Sequence, residues 1–342
     1  MFDRLYRHGR LVGVGLAAAL INACGGGGAS SPETEPFFVE EEAEWALVWS
    51  DEFDGATVNT ANWSFQEGDG SDIFGQPGWG NFERQYYQAD NATVADGLLT
   101  ITARSEEVGG MAYTSARMRS LDKFDFQYGR VEVRGSAAAG QGLWSAVWML
   151  PSDSPYGGVW AASGEADIME VVNAGTDNQG VFAAAHFGFE WPLNRIYTNP
   201  VELDDASDMH TYAIEWSEEY IRWFVDGEHL YTMGADHYYS YYYKNESEGY
   251  ATKKGGAPFD VPFHLIMNLA VGGNGPGELD PGAIPSEMVI DYIRVYQCQY
   301  GTAGGTGCNS NADRTLEQPD ALNPYVYETE LYNDGAATLS WT

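Results

Sequence analysis

Positive charge is scarce in this chain. Its 342 residues hold 17 Lys and Arg against 50 Asp and Glu, a formal net charge of −33. Such a surface repels nucleic acid and anionic lipid headgroups, so neither is expected as a partner. It also disfavours a polyanionic substrate such as a sulfated glycan, unless a local basic cleft overrides it, and it favours solubility in any case. Cysteine is nearly absent, at 3 residues, and no His/Cys spacing matches a zinc site. No helical period runs longer than a couple of turns, which excludes a mainly helical fold. The apolar run Leu11 to Ala19 is too short to span a bilayer as a mature anchor.

Aromatics and glycine are abundant: Trp, Tyr and Phe make up 14% of residues, and there are 41 Gly. Together with only 20% charged residues, this composition reads as β-rich with many turns. Short apolar runs are broken by Gly, Asp, Asn and Pro. Strands are expected at Leu98 to Ala103, Phe126 to Val133, Leu143 to Met149, Glu165 to Val172, Ala183 to Phe189, His210 to Glu215, Tyr220 to Val225, His264 to Asn268 and Met288 to Tyr296. Asp226-Gly227 fits a hairpin turn. So many antiparallel strands in a domain of about 250 residues imply two packed sheets, an all-β sandwich.

The ends of the chain read differently. Arg4, Arg7 and Arg10 precede the apolar run, which leads to Ile21-Asn22-Ala23-Cys24 and a Gly/Ser stretch. Residues 1–24 resemble a bacterial lipoprotein signal, in which Cys24 becomes the lipidated first residue; Asn22 departs from the small residue usual there. Residues 25–43 form a flexible linker rich in Gly, Ser, Pro and Glu. The protein is therefore expected outside the cytoplasm, secreted or held in the cell envelope, with a lipid anchor as its one contact with membrane. Cys298 and Cys308, close together in an exported chain, are expected to form a disulfide. Residues 299–342 are a C-terminal extension or the start of a further module.

The most informative segment is Gly164-Glu165-Ala166-Asp167-Ile168-Met169-Glu170. A strand interior seldom holds three carboxylates. In a regular strand Glu165 and Asp167 share a face and Glu170 points away. A bulge at Ile168-Met169 adds one residue and returns Glu170 to the first face. Crowded carboxylates repel, so one keeps its proton near neutral pH. A proton donor beside an ionised carboxylate equips a retaining glycoside hydrolase, whose two carboxyls stand about 5–5.5 Å apart. The competing readings are a calcium site, although no EF-hand spacing is present, and a solvated edge strand.

Glu165-Ala166-Asp167-Ile168-Met169-Glu170 is similar to the signature of glycoside hydrolase family 16, in the bulged form of its laminarinase-type endo-β-1,3-glucanases. The same resemblance extends, in the family's order, over Trp49 to Gly55, Gly78 to Tyr87, Thr114 to Arg117, Tyr128 to Glu132, Gly140 to Leu150, Asn268 to Asn274 and Asp291 to Tyr296. It implies a concanavalin A-like jelly roll over residues 44–298, with a substrate cleft across its concave sheet. It also implies the order of roles, with Glu165 as nucleophile, Glu170 as acid/base and Asp167 between them. Ala166, Phe82 and Ser145 depart from the commonest family residues and loosen the choice of substrate.

A glycan cleft needs aromatic platforms and hydrogen-bonding rims. Trp144 and Trp191 are the expected platforms, with Trp148 and Trp79 as further candidates. The resemblance brings Asn81, Arg84, His186 and Asn268 to the substrate, and it puts a structural calcium ion at positions matching Glu52, Gly97 and Asp291. No cofactor is required for the chemistry. The expected activity is endo-cleavage of β-1,3 bonds in laminarin-like glucans by a monomer. Mixed-linkage glucan, agar, porphyran and carrageenan are the alternative substrates, and binding without cleavage is a further alternative.

Overall fold

The computed structural model describes residues 45–299 and Cys308. The expected signal segment with Cys24, the linker 25–43 and nearly all of the extension 299–342 lie outside the described residues.

Two sheets dominate. The larger has ten strands, ordered Glu228–Gly234, Tyr220–Val225, His210–Trp216, Gly129–Ser136, Ser286–Cys298, Leu98–Val108, Met111–Ser115 and Gln85–Tyr87, with Trp45–Asp51 and Ala92–Ala95 pairing beside this path. All its ladders are antiparallel except the one joining Gln85–Tyr87 to Met111–Ser115. The second sheet has seven strands, ordered Arg195–Pro200, Gly180–Phe187, Glu165–Val172, Leu143–Pro151, Phe263–Val271, Arg117–Arg119 and Ser64–Phe65. A separate hairpin pairs Ser240–Asn245 with Gly249–Lys253. Helix is confined to a few short turns among the described residues. The expected all-β sandwich is the observed architecture.

The core lies between the sheets, where Val147, Ile168, Met169, Leu265 and Met267 of the smaller sheet pack with Leu99, Ile101, Val133, Ile214 and Ile290 of the larger one. Full burial of each such side chain contributes roughly 1.5–3 kcal/mol. The expected Asp226-Gly227 turn is present, both residues having positive φ between Val225 and Glu228. Several strands run longer than expected, among them Leu98–Val108 and Ser286–Cys298, and two expected strands fall short at one end. Phe126 makes only an isolated bridge, to Phe263, and its strand begins at Gly129. The strand expected to reach Phe189 ends at Phe187, because Gly188 turns at φ 91°. Cys298 and Cys308 form a disulfide.

Candidate active site

Strand Glu165–Val172 carries the three carboxylates, and its register shows how they share a face. Asp167 pairs with Trp148 on one side and Ala184 on the other; Glu170 pairs with Ala146 and Phe182. Three steps on this strand thus match two on each neighbour. Ile168 has no partner in either ladder, which identifies a bulge there. Residues opposite one another point the same way. Glu165, Asp167 and Glu170 therefore lie on the face of Ala146, Trp148 and His186, while Met169, opposite Val147, enters the core.

Two features hold this strand. Its entry needs Gly164, at φ 91°, where a Cβ would come within 2.9 Å of Pro258. At the bulge, the Asp167 carbonyl accepts a 2.9 Å hydrogen bond from the indole N–H of Trp223, a fully buried residue of the facing sheet. That bond ties the bulged strand to the facing sheet across the core.

All three carboxyls are held above the ordinary carboxylate range. Burial, then the charge of Glu170, pushes Glu165 up to about 8. Burial pushes Glu170 up to about 7. Asp167, only 2% exposed, is pushed well up by burial and then by Glu170 and Glu165. The cluster titrates as one unit, and its donors differ from site to site. Glu165 accepts a 2.9 Å bond from the indole N–H of Trp160 and feels the positive charge of Arg117, both of which favour its anion. Glu170 accepts a 3.1 Å bond from Trp144 Nε1. His186 Nε2 lies 3.7 Å from Glu165 and 3.5 Å from Asp167. Desolvation lowers the imidazole to about 4, so it is neutral at pH 7.

A second group of residues continues the face across strands Leu143–Pro151, Phe263–Val271 and Arg117–Arg119. Asn268 lies opposite both Ala146 and Arg117. Its carbonyl oxygen accepts from Trp148 Nε1 at 2.8 Å, and its amide donates to Tyr87 Oη at 3.3 Å. Tyr87 in turn donates to Glu83, which also accepts from Gln85 and from Asn81. The Arg117 guanidinium is sandwiched between Trp79 and Trp148, 4.9 and 4.8 Å from their rings. Asn81, Trp148 and Asn268 thus belong to one network.

Other expected residues stand elsewhere. Trp79 is 3% exposed and packs edge-on against Tyr87, so it supports Arg117 and offers no open ring face to a sugar. Arg84 follows buried Glu83 and points away from that network, over the ring of Tyr113. Trp191 is 70% exposed beside Trp160, with ring centroids 6.4 Å apart. Glu83, Arg117 and Trp160 were not among the residues expected from sequence. The first two sit within the matching stretches Gly78 to Tyr87 and Thr114 to Arg117, whereas Trp160, in a Gly/Ala loop, gives no periodic signal.

At the positions expected to hold calcium, side-chain pairing leaves mainly backbone oxygens to offer. Both carboxylate oxygens of Glu52 accept from Arg294, and Asp291 pairs with Arg134, so arginines already balance the charge of both side chains. Gly97 can offer only backbone. Among the described residues, the one close group of three ligating side chains is Glu165, Asp167 and His186 themselves. The arrangement is chemically suited to handling protons and an anionic nucleophile at a sugar carbon.

Comparison with known proteins points the same way. The family model for glycosyl hydrolases family 16 matches residues 81–252. A glucan endo-1,3-β-glucosidase A1 from Niallia circulans is 40% identical over 271 residues, covering 74% of this chain and 38% of its own length. A β-glucanase from Rhodothermus marinus is 40% identical over 270 residues, covering 75% of this chain and 87% of its own. The crystal structure of a laminarinase from Rhodothermus marinus superposes with a TM-score of 0.65 at 39% identity, over 75% of this chain and 99% of that one.

Proposed function

The chain belongs to glycosyl hydrolases family 16, and from that premise we propose that it cleaves internal β-1,3 bonds of laminarin-like glucans with retention of configuration. The observation that carries the reading is the bulge at Ile168, which aligns Glu165, Asp167 and Glu170 on one face. The names of its relatives, an endo-1,3-β-glucosidase and a laminarinase, support the linkage.

In the first step the ionised Glu165 attacks the anomeric carbon, and Glu170 gives its proton to the departing glycosidic oxygen. A glycosyl ester forms on Glu165. Glu170, now ionised, takes a proton from water, and that water releases the sugar. The order of roles follows the family resemblance; because the cluster shares its protons, ionising one glutamate holds the proton on the other, and Trp160 and Arg117 favour the anion at Glu165. Asp167, buried between the two and pushed well up by burial and by their charges, stays protonated and adds no further negative charge beside the nucleophile. The three carboxyls supply all the acid, base and nucleophile that the reaction needs, so no cofactor takes part.

The protein acts as an exported monomer, carried out by residues 1–24 and tethered through Cys24 and the 25–43 linker; the Cys298–Cys308 disulfide supports an oxidising location. The test is a product profile on laminarin, lichenan and agarose. β-1,3-linked oligosaccharides from laminarin are expected, with lichenan slower and agarose intact. Cleavage of agarose with laminarin untouched would overturn the substrate.

A further inference from the structure

The aromatic surface beside the carboxylates does not stop at Trp191. The hairpin Ser240–Asn245/Gly249–Lys253 lies outside both large sheets. Tyr241 and Tyr243 alternate onto one of its faces, and Tyr250 stands directly opposite Tyr243. Tyr250 stacks on Tyr241 with centroids 5.3 Å apart and planes at 14°, and it meets Tyr243 edge-on. Tyr243 is 45% exposed and Tyr250 52% exposed, which is unusual for a cluster of large rings that is not a contact surface.

This face is continuous with the candidate active site. Phe189 touches both Tyr241 and Tyr250, at 5.1 and 5.7 Å. Two residues on is Trp191, and the segment from Phe189 to Trp191 is hydrogen-bonded to Trp160 and Ala161. Trp160 in turn bonds Glu165 and lies 5.2 Å from the His186 ring. A run of rings therefore leads from the carboxylates outward to Tyr243. The hairpin is also anchored to the loops that carry those rings. The Tyr241 N–H donates to the Gly188 carbonyl, the buried Ser240 hydroxyl donates to the Ala162 carbonyl, and Tyr242, on the opposite face, packs on Tyr156.

We propose that the Tyr241–Tyr243–Tyr250 face is an outer platform that holds the same neutral glucan chain beyond the sugar units at the carboxylates. The proposal rests on the glucanase reading above. Flat, uncharged rings with hydroxyls at their rims suit the apolar faces and polar edges of a sugar chain. An extended polysaccharide leaving the carboxylates past Trp160 and Trp191 meets this face next. Since the hairpin is tied to the loops bearing both tryptophans, the platform is fixed before the chain arrives.

The experiment compares kcat/KM on a series of β-1,3-gluco-oligosaccharides of increasing length for the wild type and for Tyr243→Ala/Tyr250→Ala. The wild type gains with length. The double variant loses about 3- to 10-fold on the longest substrates and nothing on the shortest one cleaved. Tyr243→Phe/Tyr250→Phe, which keeps the rings, retains the gain. If the double variant is poorly folded, Tyr243→Ser alone, at the exposed outer position, is expected to lose part of it. The same length dependence in wild type and ring-deleted variants would overturn the platform, as would an equal loss at every length. A wild type that leaves the whole series intact would overturn the glucanase reading, and the platform with it.

Discussion

Glu165→Gln should make the protein more stable, by an amount that grows as pH rises from about 4.5 to about 8. Burial and the charge of Glu170 raise the Glu165 carboxyl from an ordinary 4.5 to about 8. The folded protein then holds that proton more tightly than the unfolded chain does. The resulting stability is fully present below the unfolded value and is lost as pH rises through about 8. Going from 4.5 to about 8, at ~1.36 kcal/mol for each tenfold change in proton affinity, bounds the cost of ionising this site in the fold at about 5 kcal/mol. Because neighbours share the cluster's proton, a relief of about 2–4 kcal/mol at pH 9 is expected from the neutral amide. For a domain of this size that is a rise in Tm of roughly 5–15 °C. Scanning calorimetry at pH 5 and pH 9 reads it directly. Charges outside the cluster titrate alike in both proteins, so the difference isolates the carboxylate cluster. A Tm gap of the same size at both pH values, or a less stable variant at pH 9, would refute the argument that the carboxylates are held together against their own repulsion.

Three other outcomes follow from the same geometry. Glu170→Ala should lower kcat/KM on laminarin by about 10²–10⁴ while largely sparing aryl glucosides whose leaving group needs no proton, and an equal loss on both would remove Glu170 from the acid role. The alkaline limb of kcat/KM for the wild type should fall near neutrality, since burial lifts Glu170 to about 7; a profile already falling between pH 4 and 5 would contradict this. Trp223→Phe removes the indole bond to the Asp167 carbonyl, so it should cost about 0.5–1.5 kcal/mol in urea unfolding and lower kcat more than it changes KM. Unchanged kcat would mean that the bulge does not depend on that bond.

Much of the site was legible in the sequence because the chemistry constrains the strand. Acids at 165, 167 and 170 in an apolar run can meet on one face only if a residue is inserted between them, and Ile168 is that residue. Strand limits such as Tyr220–Val225 followed from flanking turn residues. What escaped is what tertiary contacts decide. Trp79 sits in a Gly-rich loop that reads as open, yet Tyr87 and Arg117 close over it. The arginine partners of Glu52 and Asp291, Arg294 and Arg134, give no local signal, because strand pairing in the larger sheet is what brings them close. The 240–253 hairpin was missed because its tyrosines fall in a polar stretch, with Lys, Asn, Glu and Ser between them, and the packing of Phe189 against them is not written in any local pattern.

The central claim is that carboxyls at 165 and 170 act on one sugar bond by double displacement, and proton NMR of the newly formed reducing end tests it most directly. During the first minutes of laminari-oligosaccharide hydrolysis the β-anomer should appear alone, with the α-anomer growing in later by mutarotation. An α-anomer formed first would contradict the account.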